Sequence, residues 1–172
     1  APNTVENGLI PEILLGAQQW LIGGLIVFIG GVFDMFDGTL ARATGKVSPL
    51  GAFMDSVFDR WGEAIVYLGL VVGGARAGSD AVVILAAAAL GAAFMVSYTR
   101  AKSEGLGFTA GTGMAAIGVM PREVRLVILG LGLVVAGVAG DLLILHIALG
   151  IIAIGATITV IQRSLHVRRE AA

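Results

Sequence analysis

The sequence predicts an all-α membrane protein, built as a polytopic bundle of transmembrane helices. Composition is the first indication, because 57% of the 172 residues are hydrophobic and only 13% are charged, a balance far more apolar than that of soluble domains. The second is a content of 26 glycines, since small residues let helices pack closely in lipid. The third is a series of apolar runs long enough to cross about 30 Å of hydrocarbon.

Five apolar runs have the length of a membrane span. They cover residues 20–36, 51–74, 80–100, 124–140 and 142–165, and each approaches the roughly 20 residues that a spanning helix needs. Residues 1–19 contain Pro2, Glu6, Pro11 and Glu12 and have no apolar run of that length. We therefore expect an interfacial segment or a shortened first helix at 1–19, followed by a transmembrane domain at 20–172.

Basic side chains predict the orientation of the bundle. Ten of the eleven Lys and Arg residues fall on one side of the predicted spans, and only Arg76 falls on the other. By the positive-inside rule the basic side faces the cytoplasm. We therefore expect an integral protein of the cell (inner) membrane, with the lipid bilayer as its surroundings. The absence of cysteine excludes disulfides, thiolate metal sites and cysteine nucleophiles.

Four aspartates near the start of the chain form the most unusual feature of this apolar sequence. Asp34 and Asp37 are three residues apart, and Asp55 and Asp59 are four apart, so each pair lies on one face of a helix. An acidic residue at membrane depth costs at least about 2.5 kcal/mol and is usually functional. Two neighbouring helices can direct all four carboxylates to one point on the cytoplasmic side, which then requires bound cations.

The chemistry of these ligands limits the choice of metal. Carboxylate oxygens favour a hard divalent ion such as Mg²⁺, with Mn²⁺ as the alternative, and two ions balance four negative charges. A pair of metal ions can bind a diphosphate and neutralise charge as a phosphoryl bond breaks. Gly38 allows a ligand to approach the backbone, and Arg42 either binds a phosphate or pairs with an aspartate. A divalent-cation transporter with the aspartates as its transit site is the alternative class.

The same residues resemble the signature of the CDP-alcohol phosphotransferases. All eight fixed positions match at the required spacing: Asp34, Asp37, Gly38, Ala41, Arg42, Gly51, Asp55 and Asp59. Members of that family have six transmembrane helices, and the helix before the signature is not evident here. The resemblance implies the fold of this family and a homodimer, and no nucleic-acid partner is expected.

This resemblance implies that the domain at 20–172 is catalytic. The expected reaction transfers a phosphatidyl group from a CDP-linked lipid, CDP-diacylglycerol or CDP-archaeol, to the hydroxyl of a small alcohol and releases CMP. Asp34, Asp37 and Asp55 are then metal ligands, and Asp59 is both a ligand and the base that deprotonates the acceptor. Residues matching CDP-lipid contacts are Asp34, Gly38, Ala41, Arg42, Ser48 and, in the Pro-Asn stretch near the N-terminus, Asn3.

Two basic stretches are candidates for the acceptor site. Residues 97–105 resemble the Ser-Tyr-x-Lys/Arg-Ala-Lys/Arg run of phosphatidylinositol phosphate synthases, and residues 121–125 resemble their Glu-Arg-Pro-Glu-Arg run with both arginines kept. Arginine and lysine suit a phosphorylated acceptor, so we expect inositol phosphate, with glycerol phosphate or another alcohol as the alternative. The four cations concerned are Arg100, Lys102, Arg122 and Arg125. They could instead enforce topology and bind anionic headgroups.

Two charged residues beside the acidic cluster, Glu63 and Arg60, are expected to be structural. Glu63 follows Asp59 by four residues and extends the same helical face. Its expected partner is Arg60 or Arg100.

Overall fold

The computed structural model describes residues 15, 18–30, 49–108 and 114–172. Its helices are α1 (Trp20–Gly30), α2 (Pro49–Arg76), α3 (Asp80–Gly105), α4 (Arg122–Ala139) and α5 (Leu143–Glu170), with a short 3₁₀ helix at Met114–Ala116. Within these ranges all regular structure is helical, so the predicted all-α class is confirmed.

The four long helices form two antiparallel hairpins. Between α2 and α3 the chain turns through Gly78, whose φ of 66° lies in the left-handed region, which glycine adopts without strain. The hydroxyl of Ser79 then accepts the backbone N–H of Val82 and caps α3, as expected of a serine N-cap. Between α4 and α5, Gly140 ends the helix in the same left-handed conformation, a common helix C-terminus. Both turns therefore lie at the same end of the bundle.

The hydrophobic core lies where α3 packs against α2 and α5, and where α5 also packs against α4. Alanines supply the buried face of α3, since Ala86, Ala89 and Ala93 are fully buried and small side chains permit close helix approach. Larger side chains from the neighbouring helices fill the remaining space. Among them are Tyr67, Leu70, Leu129, Leu133, Leu145, Leu149 and Ile152.

Helix α1 lies against α4 with almost no space between the two backbones. A Cβ atom added to Gly130 of α4 would lie 2.7 Å from Cβ and 2.8 Å from Cα of Phe28 in α1. A similar addition to Gly137, two turns later, would lie 2.5 Å from the backbone nitrogen of Leu21. Glycine at these positions therefore permits a contact that any larger residue would obstruct.

Among the described residues, two helices are long and apolar enough to cross a membrane on length and composition alone. These are α3, with a mean hydropathy of 2.2 over its best window, and α5, with 2.4. The predicted runs at 51–74 and 124–140 correspond to α2 and α4, which are also long but carry several charged side chains. These include Asp55, Asp59, Arg60 and Glu63 within α2, and Arg122, Glu123 and Arg125 in the first turn of α4. Of the predicted run at 20–36 only the part up to Gly30 lies within the described residues.

Candidate active site

One end of the bundle collects most of its charged side chains. Because the two hairpin turns lie at the opposite end, α2 and α4 begin here, and α3 and α5 end here. We call this the charged end. It contains Asp59 and Glu63 of α2 and Arg122 and Arg125 of α4, so carboxylates of one helix face guanidinium groups of another.

Asp59 lies between two arginines. Its Oδ1 is 2.9 Å from Nη1 of Arg122, and its Oδ2 is 4.0 Å from Nη2 of Arg60. The Asp59 side chain keeps 30% of its surface exposed, and Arg122 keeps 18%. Asp55, one turn earlier on α2, is exposed. Asp55 and Asp59 therefore share one face of α2, as their spacing predicted. The exposed part of the Asp59 side chain is accessible to a ligand from outside the protein.

One turn deeper, Glu63 and Arg125 form a fully buried ion pair. Nε and Nη2 of Arg125 donate to Oε1 and Oε2 of Glu63, both at 2.8 Å, and neither side chain has exposed surface. The remaining Nη1 donates to the carbonyl of Met120 at 3.0 Å. Removing one partner of such a pair leaves an uncompensated buried charge, at a cost of about 3–5 kcal/mol.

Arg60 connects this pair to a third helix. Its Nη1 lies 3.7 Å from Oε2 of Glu63 and donates a hydrogen bond to the hydroxyl of Ser97 on α3. Ser97 in turn donates to the carbonyl of Ala93 on the same helix at 3.2 Å. The expected pairing of Glu63 with Arg60 is therefore present, but Arg125 is the closer partner.

The segment that precedes α4 is held against α5. The hydroxyl of Thr159 accepts the backbone N–H of Met120 at 3.0 Å. Because Arg125 binds the carbonyl of the same residue, the backbone just before Arg122 is held on two sides. This arrangement places Arg122 beside Asp59 through backbone contacts as well as through its own ion pair.

A cleft of about 250 Å³ opens between the last turns of α3 and α5. Lys102 and Arg163 line it with positive charge. Arg163 donates from Nε to the carbonyl of Ile117 at 2.9 Å and from Nη1 to that of Val96. The other residues that line the cleft are Tyr98, Thr99, Ser103, Leu106, Phe108, Ser164 and Val167. Most of the lining surface is apolar, and the exposed Lys102 gives the cleft positive charge at its mouth.

The four predicted acceptor cations occupy four different settings. Arg100 is about half exposed and pairs with Glu104 at 2.9 Å, and Lys102 lines the cleft. Arg122 contacts Asp59, whereas Arg125 is buried against Glu63. The structure therefore joins one predicted acceptor cation directly to the predicted base.

The remaining predicted site residues lie outside the described part of the chain. They are Asn3, Asp34, Asp37, Gly38, Ala41, Arg42 and Ser48. Their roles, and the convergence of the four aspartates, stay predictions.

Sequence reasoning missed two buried arginines. It assigned Arg125 to the acceptor site and counted Arg163 only among the basic residues that predict orientation, but these two residues are 0% and 3% exposed. A signal was present, because an arginine next to or within an apolar helical run is costly unless it has partners. The identity of those partners, such as Glu63 at a separation of 62 residues, does not follow from local spacing.

Comparison with known proteins assigns the family. The CDP-alcohol phosphatidyltransferase profile matches residues 8–161, which is most of the chain. The protein belongs to the CDP-alcohol phosphatidyltransferase family. This finding confirms the resemblance carried by the eight signature positions.

Two curated relatives are named as synthases of inositol phosphate lipids. A Streptomyces avermitilis phosphatidylinositol phosphate synthase is 33% identical over 98% of this chain and 76% of its own length. A Pyrococcus horikoshii archaetidylinositol phosphate synthase is 38% identical over 65% of this chain and 55% of its own length. This chain therefore spans only about half of the archaeal relative.

The fold has a counterpart in the Mycobacterium tuberculosis phosphatidylinositol phosphate synthase. The crystal structure of that protein with CDP-DAG bound gives a TM-score of 0.78 at 27% identity, covering 95% of this chain and 83% of that one. Its complex with manganese and citrate gives a TM-score of 0.76 at 26% identity, covering 96% and 80%. The helical bundle described above is therefore the fold of this family.

The donors at the charged end suit a hard divalent ion. Asp55 and Asp59 offer carboxylate oxygens from one face of α2, the ligand type that Mg²⁺ and Mn²⁺ prefer. Within the described ranges no three acidic or histidine side chains cluster closely enough to hold a metal, and two of the four predicted ligands lie outside those ranges. The described half of the donor set fits the predicted metal in chemical type.

Proposed function

We propose that this protein is a Mg²⁺-dependent phosphatidyltransferase of phospholipid biosynthesis. It transfers a phosphatidyl group from a CDP-linked lipid to a hydroxyl of inositol phosphate and releases CMP. The observation that carries the proposal is the contact of 2.9 Å between Asp59 and Arg122. That contact brings the expected base next to a cation suited to an acceptor phosphate, in a chain whose family transfers phosphatidyl groups from CDP-linked lipids.

Asp59 is proposed as the general base. The acceptor hydroxyl loses its proton to the Asp59 carboxylate and then to water, while its oxygen forms a bond to the phosphorus nearest the lipid. The bond from that phosphorus to the bridging oxygen breaks, and the oxygen leaves with CMP. Divalent ions held by Asp34, Asp37, Asp55 and Asp59 would supply the positive charge that neutralises the diphosphate. The exposed part of the Asp59 side chain leaves the base open to the acceptor.

The proposed acceptor site combines Arg122 with the mouth of the cleft at Lys102. Arg122 can bind a phosphate through two parallel hydrogen bonds, and Lys102 supplies a point charge. Arg100 lies two residues before Lys102 and contributes to the same positive field. Arg125, the fourth predicted acceptor cation, is bound to Glu63 and contributes to the site through that pair.

The choice of lipid and metal draws support from the relatives. CDP-DAG is bound in one structure of the M. tuberculosis synthase, and manganese in another, so CDP-diacylglycerol is the preferred donor and two ions of Mg²⁺ or Mn²⁺ the proposed cofactor. The archaetidylinositol phosphate synthase among the relatives supports CDP-archaeol as the alternative donor. CDP-lipid contacts are proposed at Asp34, Gly38, Ala41, Arg42, Ser48 and Asn3.

The cellular setting is part of the same proposal. Two membrane-length helices and the apolar composition favour an integral protein of the cell membrane. The surplus of basic residues at the charged end supports a cytoplasmic orientation of that end, where inositol phosphate would reach it. A homodimer is expected from the family.

Release of CMP by the purified protein tests the proposal. We expect CMP from CDP-diacylglycerol or CDP-archaeol with inositol phosphate, a lower kcat/KM with glycerol phosphate or free inositol, loss of activity with EDTA, and recovery with Mg²⁺ or Mn²⁺. Glu170→Gln is the matched control, because it removes a surface contact with His166 of 3.0 Å outside the site. Absence of CMP with every acceptor, together with Mg²⁺ uptake by proteoliposomes, would favour a transporter instead.

A further inference from the structure

We infer that the buried Glu63–Arg125 pair is a positioning device that sets Arg122 against Asp59, and that Arg125 does not itself contact the acceptor phosphate. This inference rests on the proposed function, since it assigns a role at the acceptor side of that site. Glu63 and Arg125 are positioning residues in this assignment, because they act through Arg122.

The two ion pairs between α2 and α4 form consecutive steps of one ladder. Asp59 and Glu63 are four residues apart on α2, and Arg122 and Arg125 are three apart on α4. Both spacings keep side chains on a single helix face. The outer pair is partly exposed, whereas the inner pair is fully buried. The inner contact therefore joins the two helices one turn away from the outer contact, where it can set the distance and direction between Arg122 and Asp59.

The geometry of the inner pair is suited to fixing orientation. Two parallel hydrogen bonds of 2.8 Å join the planar guanidinium of Arg125 to the carboxylate of Glu63. Such a bidentate contact sets direction as well as distance. A buried ion pair adds little net stability over well-packed apolar side chains, so stability alone does not account for its presence between these helices.

The nitrogens of Arg125 are already occupied. Nε and Nη2 bind Glu63, Nη1 binds the carbonyl of Met120 at 3.0 Å, and the residue has no exposed surface. A phosphate could reach it only by breaking the pair and leaving Glu63 buried without compensation. Arg122, with 18% of its side chain exposed, can turn toward an incoming phosphate without that cost.

A double-mutant cycle tests the inference. The variant Glu63→Leu/Arg125→Met replaces the pair with apolar groups of similar size, and we expect its melting temperature in detergent to fall less than that of Glu63→Leu alone, which leaves Arg125 buried without its carboxylate. Its acceptor KM should rise about tenfold with the CDP-lipid KM unchanged, as after Arg122→Ala in the parent. Adding Arg122→Ala to the double variant should raise the acceptor KM further by less than about twofold, because both changes remove the same interaction, that of Arg122 with the acceptor phosphate.

The possible results distinguish a failure of this inference from a failure of the proposed function. An active double variant with the parental acceptor KM, or effects of the pair and of Arg122→Ala that multiply independently, overturns the inference and leaves the proposed function intact. If the double variant does not fold, the cycle is measured with Arg125→Lys in its place, since lysine keeps the charge but not the bidentate contact. No CMP release by the parent with any acceptor overturns both. Glu170→Gln again serves as the control.

Discussion

At the scale of single residues, Asp59 is the position on which the proposed chemistry depends most. Asn has nearly the same shape as Asp but cannot accept a proton at pH 7. We expect Asp59→Asn to abolish CMP release while retaining metal-dependent binding of CDP, because the other three aspartates remain. Activity assays and calorimetric titration with CDP in the presence of Mg²⁺ measure the two quantities. Activity close to that of the parent would contradict the assignment of Asp59 as the base.

Residue spacing predicted part of this site and could not predict the rest. The shared face of Asp55 and Asp59 follows from helix periodicity, and the structure bears it out. The partner of Glu63 was expected at Arg60 or Arg100, but the closest cation is Arg125. A choice between cations on different helices depends on how those helices pack, which the spacing within one helix does not encode.

At the scale of elements, the apolar runs located the helices but not their ends. The run predicted at 80–100 became α3, which continues to Gly105, and the run at 142–165 became α5, which continues to Glu170. Hydropathy detects the part of a helix that suits lipid, whereas the backbone hydrogen bonds continue into polar sequence. These extra turns are important for the proposed site, because they contain Lys102, Ser103 and Val167, which line the cleft.

The contact between α1 and α4 gives a prediction at the same scale. Gly130→Ala places a methyl group within 2.9 Å of three Phe28 atoms, two of them backbone atoms, so α1 must move away from α4. We expect a destabilisation of about 1–3 kcal/mol, typical of an overpacked interior, measured as a lower melting temperature in detergent. Gly91→Ala on α3 is the matched control, because its added Cβ meets no atom within 4 Å. An equal melting temperature for both variants would contradict the close packing.

At the scale of the whole molecule, the sequence predicted the fold class and family from two independent features. Composition gave the all-α membrane bundle, and the eight signature positions gave the family, whose profile covers residues 8–161. The order in which α2, α3, α4 and α5 pack was not predicted. All four helices are similarly apolar on average, so hydropathy does not distinguish one neighbour from another. The alanine face of α3 is recognised as a packing surface only when the structure is known.

The orientation of the bundle can be tested in living cells, because the chain contains no cysteine. The turns at 77–79 and 140–142 lie at one end. Of the described Lys and Arg residues, only Arg76 lies at that end, and the others lie toward the charged end. The positive-inside rule therefore puts Ala77 and Ala139 outside and Ala101 and Ala171 in the cytoplasm. All four side chains are exposed, so a cysteine there can react.

We expect a membrane-impermeant maleimide to label intact cells that carry Ala77→Cys or Ala139→Cys. Cells with Ala101→Cys or Ala171→Cys should be labelled only after permeabilisation, because the reagent must cross the bilayer to reach the charged end. The cysteine-free parent is the control for background reaction. The reverse pattern would place the proposed acceptor site outside the cell, away from cytoplasmic inositol phosphate. Equal protection of all four positions in intact cells would contradict a membrane-spanning bundle, because its two ends must face different compartments.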